Sequence, residues 1–410
     1  MFYDSRAELQ FKATPFDYFD IIFKLRAGDY IWGHQQETGM FSGKGEIKTA
    51  HLYGSYAGVN NFIFRAGLMD WSDPMGLVLD DDLAGFFVTY KPTPEIAIEF
   101  GHAILRSAQT REELGYEDYF ASYNIAYGSD DALLFFSFDY DNMVGLKTIT
   151  NTFKPSGDMH QGISRVINIW AMPYATLSFN DVNLTAMFAI NYGQYTDDNK
   201  PVSERDYNNM GFAAAIDFEI DLDLGGIPGF NLLFTTGQRD ITEPETSYFD
   251  SISPLYKNGL EFLGNGIHEG SPNRYFSILD PRNYGKGLLS AVVRYEVPFL
   301  DNLSGLFAAG YVQALESLTH LERNHIADVA FERDEVVLDK MRVPVADFGK
   351  EMGTEINLGL RFRFLHDSYF AVKGAFMKPG DFFKRDVSSL TKRGEDQFIY
   401  GVHSAVEIKF

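Results

Sequence analysis

MGFAAAIDFEIDL, residues 210–222, sets Met210, Phe212, Ala214, Ile216, Phe218, Ile220 and Leu222 at every second position and Asp217, Glu219 and Asp221 between them. Successive side chains of a strand point to opposite faces, so this stretch reads as one ribbon with an oily face and a face carrying three carboxylates. It is about twice the length of a common globular strand. A soluble sandwich holds one such strand; a chain full of them needs a different solvent on each side.

The alternation recurs from end to end. Leu9, Phe11 and Ala13 alternate with Glu8, Gln10 and Lys12; Phe19, Ile21, Phe23 and Leu25 with Asp20, Lys24 and Arg26; Ile96, Ile98 and Phe100 with Glu95 and Glu99. Placing strands by this period gives about seventeen. They lie near residues 3–13, 17–28, 46–58, 61–70, 83–91, 94–105, 118–128, 131–141, 164–179, 183–194, 209–222, 229–238, 286–298, 302–314, 353–365, 368–378 and 397–410. The links between them alternate too. Tight ones carry ordinary turn chemistry at Pro15, Val59–Asn60, PTP (92–94), SDD (129–131), NDV (180–182), LDN (300–302) and HD (366–367). Every other link is longer: 29–45, 71–82, 106–117, 142–163, 195–208, 239–285, 315–352 and 379–396.

Short turns on one rim, long loops on the other, and strands of about ten residues with apolar-out and polar-in faces are what a transmembrane antiparallel up-and-down β-barrel of about 16–18 strands requires. Lipid meets the outer face and water the inner one. Composition agrees. The chain has 410 residues, is 45% hydrophobic and 22% charged, and shows no linker or break in composition, so residues 1–410 are read as a single barrel domain. No stretch of about 18 uncharged apolar residues exists for a transmembrane helix, and the chain opens without a signal-peptide core. Cysteine is absent, which excludes thiol chemistry, and a net charge of -22 argues against nucleic acid as a partner.

The C-terminal HSAVEIKF (403–410) continues a face of Val402, Ser404, Val406 and Ile408 and ends on Phe410. This segment resembles the terminal strand of bacterial outer-membrane β-barrels of the porin type, with a looser similarity to alginate-export channels. The resemblance implies a Gram-negative outer-membrane location, outer-membrane lipids and the barrel-assembly machinery as partners, Phe410 as the assembly signal, and a homotrimer as one possible state. Bacterial barrels usually have an even strand number, so an eighteenth, N-terminal strand is expected beyond the seventeen. An extra strand inside VGLKTITNTF (144–153) is disfavoured, because it would reverse the sidedness of the turns.

Inward positions of the first and last segments include Arg6, Lys12, Lys24, Arg26, Lys48, Arg65, Arg294, Arg361, Arg363 and Lys373. Those of the middle segments include Glu95, Glu99, Asp139, Asp217, Glu219 and Asp221. In a closed barrel these form a basic wall and an acidic wall facing each other, and opposed charges across a constriction set ion preference. The simpler alternative is that they keep the lumen wet and pair with neighbours.

The aromatic loop 239–285 is long enough to fold into the mouth, and 315–352 could hold a short amphipathic helix across it. Tyr30, Trp32, Trp71, Tyr90, Tyr119, Tyr140, Trp170 and Tyr192, near strand ends, fit interfacial girdles. The acidic LDDDL (79–83) reads as a solvated turn. No histidine stands in metal-ligand spacing and no glycine loop cradles a phosphate, so neither an enzyme, a cofactor nor a metal is expected. The leading expectation is an outer-membrane porin for diffusion of ions and small hydrophilic solutes. A plugged barrel acting as surface adhesin or anchor is the alternative, and an outer-membrane enzyme a weaker one.

Overall fold

The computed structural model describes residues 3–32, 47–59, 61–105, 132–153, 163–197, 206–222, 225–237, 245–252, 256, 258–260, 263, 286–316, 349–365, 368–381 and 398–407. These form one antiparallel meander: β1 (Tyr3–Phe16), β2 (Phe19–Trp32), β3 (Ile47–Val59), β4 (Phe62–Ser72), β5 (Asp80–Tyr90), β6 (Ile96–Leu105), β7 (Ala132–Tyr140), β8 (Val144–Phe153), β9 (Ile163–Phe179), β10 (Val182–Asp197), β11 (Asp206–Ile220), β12 (Ile227–Thr235), the two-residue β13 (Glu245–Thr246), β14 (Leu288–Leu300), β15 (Leu303–Ala314), β16 (Glu351–Leu365), β17 (Ser368–Pro379) and β18 (Ile399–Glu407). Each of the seventeen long strands pairs with the next, β12 pairing with β14, while β13 adds a short parallel pairing to the upper end of β11. Both β1 and β18 run toward the short-turn rim, and no ladder joins them among the described residues.

The short links fall at 17–18, 60–61, 91–95, 141–143, 180–181, 221–226, 301–302 and 366–367. Turn chemistry makes them tight. Asp141 and Asn142 both take positive φ (52° and 54°), as do Asn61 and Asn180, and this is the backbone that matches the right-handed twist of a hairpin. The short side-chain oxygens of Asn and Asp make that region accessible at little cost.

The sheet is strongly curled. Lys147 Nζ on β8 lies 5.0 Å from the ring centroid of Trp71 on β4 and donates to the Ser72 carbonyl at 3.1 Å. In a flat sheet those strands would stand about 19 Å apart. Trp71 and Phe135, from β4 and β7, pack with centroids 4.9 Å apart. Only a sharply curved wall brings such inner faces together.

The two faces divide as the alternation predicts on the outside. Phe100, Met210, Val293, Leu358 and Phe376 stand exposed, while their strand neighbours Ala103, Ala213, Val292, Asn357 and Met377 are buried. A soluble β-protein hides its oily face; here that face is outermost.

One strand assignment is corrected. The expected strand 118–128 lies outside the described residues, whereas VGLKTITNTF is β8, paired with β7 through the turn 141–143 and with β9 on its other side. The change reverses only β7, so every other turn keeps its side. The alternation had been hidden because β8 turns Thr148 and Thr150 outward and Ile149 inward, opposite to an oily-out, polar-in rule. Thr148 Oγ1 donates to the Phe136 carbonyl at 3.3 Å, which lets a hydroxyl sit on the lipid side with its donor satisfied. β5 also begins earlier than expected, so Asp80, Asp81 and Asp82 are strand residues rather than a solvated turn.

Candidate functional site

The inner face divides by height. Toward the short-turn rim it carries charge, held in lateral clusters. Arg65 on β4 donates to Glu99 Oε2 on β6 at 2.5 Å, Thr89 Oγ1 donates to the same oxygen at 2.8 Å, and the guanidinium lies 5.5 Å from the Phe87 ring centroid. Arg294 on β14 donates to Asp217 at 2.6 Å and to Glu219 at 3.0 Å on β11, and Asn231 Nδ2 on the intervening β12 reaches Asp217 at 3.3 Å. Arg361 on β16 meets both oxygens of Glu296 on β14 at 3.1 and 3.0 Å, with Ser304 Oγ donating to Glu296 at 2.7 Å from β15. Near the rim, Lys12 Nζ stands 2.9 Å from Asp20. Each of the three arginine clusters spans two strand intervals, the reach of an arginine, because inward positions on successive strands stand level, whereas Lys12 and Asp20 lie on the adjacent β1 and β2.

The expected separation of walls is therefore revised. Arg294, assigned to a basic wall, bonds directly to Asp217 and Glu219, assigned to the opposite one, and Arg65 bonds to Glu99. The charges neutralise one another sideways rather than facing across the lumen. Lys24, Arg363, Lys373 and Asp139 sit on inner faces, Lys373 almost fully buried. Glu95 lies in the turn before β6, and Asp221 is exposed just past the end of β11, so both belong to the rim. Arg6, Arg26 and Lys48 lie on strands, but their side chains, like all of Phe410, are outside what is described.

Toward the long-loop rim the lumen is packed, contrary to a uniformly polar interior. Met69, Leu83, Leu133, Ile149, Trp170, Met187, Leu233, Val312 and Met377 face inward and are buried. Two chain segments fill the space between them. The first, 73–79, is built on Asp73, whose buried carboxylate accepts four backbone N–H groups, those of Met75, Leu77, Val78 and Leu79, at 2.7–3.1 Å. That network turns Leu77, Val78 and Leu79 into the core. The second is the described part of 245–263. Its Asp250 carbonyl accepts the Trp170 indole N–H at 2.9 Å, and its Asp250 N–H donates to Asn191 Oδ1 at 3.0 Å. Tyr256 donates its hydroxyl to Asn231 at 2.5 Å, Leu263 N–H donates to Glu355 at 2.7 Å, and Asn357 Nδ2 donates to the Gly259 carbonyl at 3.3 Å. The Ile252 N–H donates to the Val78 carbonyl at 2.9 Å, joining the two segments. Gly211 is required here: a Cβ on it would collide with the Tyr248 carbonyl. Burial pushes the Tyr256 phenol well above the ordinary tyrosine range, so it stays a neutral donor.

The described residues of 245–263 pack against the inner face, while the helix considered within 315–352 falls outside the described residues. Trp71 and Trp170, expected in an interfacial girdle, are core residues of the inner face; Tyr140 and Tyr192 are exposed on the outer one. The sequence signal that was missed is Asp73. An aspartate followed by small and apolar residues looks like an ordinary turn, and nothing in the period shows that the turn points inward. No group of three metal-ligating side chains occurs among the described residues, and none of their helices is long and apolar enough to cross a membrane.

Comparison with known proteins finds no matching family model and no matching curated protein. Among solved structures, the chain is similar to OccK5 (OpdH) of Pseudomonas aeruginosa, at 11% identity and a TM-score of 0.48, covering 99% of this chain and 96% of that one. It is similar also to the outer membrane protein opdK of the same organism, at 12% identity and a TM-score of 0.46 over 99% and 96% of the two chains. The outer membrane protein OprD, again of P. aeruginosa, matches at 11% identity and a TM-score of 0.45 over 99% and 92%.

Proposed function

We propose that this chain is a bacterial outer-membrane channel for ions and small hydrophilic solutes, without catalytic activity. The observation that supports it best is the pairing of opposite solvents on one wall: an exposed belt of Phe, Leu and Val outside, and arginine–carboxylate clusters on the same strands inside. Charged side chains bonded among themselves line a water path without closing it, and their unequal partners set ion preference. Among the described residues Arg294 faces two carboxylates, Asp217 and Glu219. The local excess near β11 and β14 is therefore negative, and cations are the favoured ions.

A second reading has its own support. The packed upper lumen fits a plugged barrel whose loops act outside, as an adhesin or anchor. Conductance separates the two. Refolded protein in a planar bilayer across a salt gradient is expected to show stable open steps with a cation-shifted reversal potential. Asp217→Asn moves that potential toward anions by releasing part of the Arg294 charge. A folded, heat-modifiable protein that never conducts rejects the channel and leaves the anchor. Assembly through Phe410 by the barrel-assembly machinery, and trimerisation through the apolar outer face, belong to the same reading.

A further inference from the structure

Across four neighbouring strands the inner face carries a transverse row with asparagine on three of them and glycine on the fourth. Asn151 on β8 pairs in register with Asn168 on β9, Asn168 pairs with Gly193 on β10, and Gly193 pairs with Asn209 on β11. At strand spacing the row is about 14 Å long. One level nearer the short-turn rim, Ile149, Trp170, Asn191 and Gly211 repeat the line across the same strands. All four asparagines are 0% exposed. Among the described residues neither Nδ2 nor Oδ1 of Asn151, Asn168 or Asn209 has a hydrogen-bond partner, and Asn191 uses only its Oδ1, on Asp250 N–H. A single orphaned amide is tolerable strain; seven orphaned polar atoms on one patch are not, because buried amides are paired almost without exception.

We propose that this row is a recognition site for neutral, hydroxyl-rich solutes, sugars and polyols, admitted when the 247–252 segment lifts from β10 and β11. The proposal deepens the channel reading and rests on it. An amide offers one acceptor and two donors, and a hydroxyl donates and accepts at once, so a line of asparagines matches a line of hydroxyls without fixing a charge. The apolar face comes from Trp170, two residues from Asn168 on the same side of β9. A pocket of apolar wall and few convergent polar groups is the usual form of a small-molecule site. The charge around the row argues against anions: β11 carries Asp217 and Glu219 on its inner face, and Lys147 of β8 is engaged by the Trp71 ring and the Ser72 carbonyl. No inner-face residue from Asn168 to Ser178 of β9, or from Asn183 to Gly193 of β10, is ionisable apart from Tyr174. The nearest carboxylate in the covering segment, Asp250, accepts from Ser251 N–H and would repel a carboxylate guest. The segment above is held to this patch by the Asp250 main chain, so the groups that bind the cover are neighbours of those that would bind the solute.

The test uses the refolded full chain in detergent with Trp32→Phe and Trp71→Phe, leaving Trp170 as the single indole of the three in the chain. Maltose is titrated against its emission, with gluconate as an anionic probe and heat-modifiable migration as the check on folding. Saturable binding of maltose is expected, about tenfold weaker for gluconate and about tenfold weaker again in Asn168→Leu, the loss of one paired hydrogen bond of this kind. Asn168→Ser serves the same purpose should the leucine variant not fold. A folded protein that conducts in bilayers but shows no saturable change overturns the site and leaves the channel standing. Unchanged maltose affinity in Asn168→Leu, or gluconate binding as tight as maltose, overturns it as well. Maltose binding by a protein that never conducts keeps the site and rejects the channel.

Discussion

At the scale of a residue, two side chains decide whether the upper lumen stays filled. Asp73 satisfies four backbone N–H groups with one buried carboxylate. Asp73→Ala leaves them unpaired in a place water reaches poorly, at a cost of about 3 kcal/mol. The expected result is a lower unfolding temperature and new proteolytic cleavage within 73–79, read by mass spectrometry of a limited digest. Tyr256 fixes the second segment through Asn231, and Tyr256→Phe is expected to cost about 1 kcal/mol. That difference depends on pH with a definite sign. The folded phenol is held neutral above the ordinary value, so its contribution is fully present below about pH 10 and is lost as pH rises through the raised one. Denaturant midpoints of wild type and Tyr256→Phe therefore converge in alkali; a gap that stays constant rejects the account.

At the scale of an element, what the sequence disclosed follows from which solvent each face meets. β11 was legible because Phe212, Ile216 and Phe218 face lipid while Asp217 and Glu219 face the lumen. β8 was not, because Ile149 enters a packed core and Thr148 satisfies its hydroxyl on a neighbouring carbonyl. Where an inserted segment makes the inside oily, period-2 alternation stops distinguishing inside from outside. The same cause concealed the roles of Trp71 and Trp170, whose place near strand ends suits an interface equally well. Charge clusters were half legible: the residues could be read, but the partners of Arg65, Arg294 and Arg361 lie two strands away, a distance no local pattern encodes. A cysteine-free chain permits a direct check on β8. Leu146→Cys is expected to react with a lipid-soluble maleimide and Lys147→Cys with a water-soluble one. The reverse pattern rejects the strand's assigned faces.

At the scale of the whole molecule, one wall serves two interiors. The lower half is lined by paired charges and the upper half is narrowed by inserted chain. Replacing residues 247–263 with a short Gly/Ser linker removes the second segment while leaving every long strand in place. The expected outcome is a larger single-channel conductance with the reversal potential largely retained, since the charge clusters lie below the seat. Equal conductance before and after rejects the seat as the narrowest point. The origin of the seat's contacts carries a further consequence, one of time. Asp250 meets Trp170, 80 residues earlier, and Gly259 meets Asn357, 98 residues later. A seat assembled from both directions along the chain cannot form until β16 has taken its place, and contacts of such long separation are slow to close. The wall through β16 must therefore stand before the seat can dock, and each new copy is expected to pass through a stage with its upper lumen unfilled.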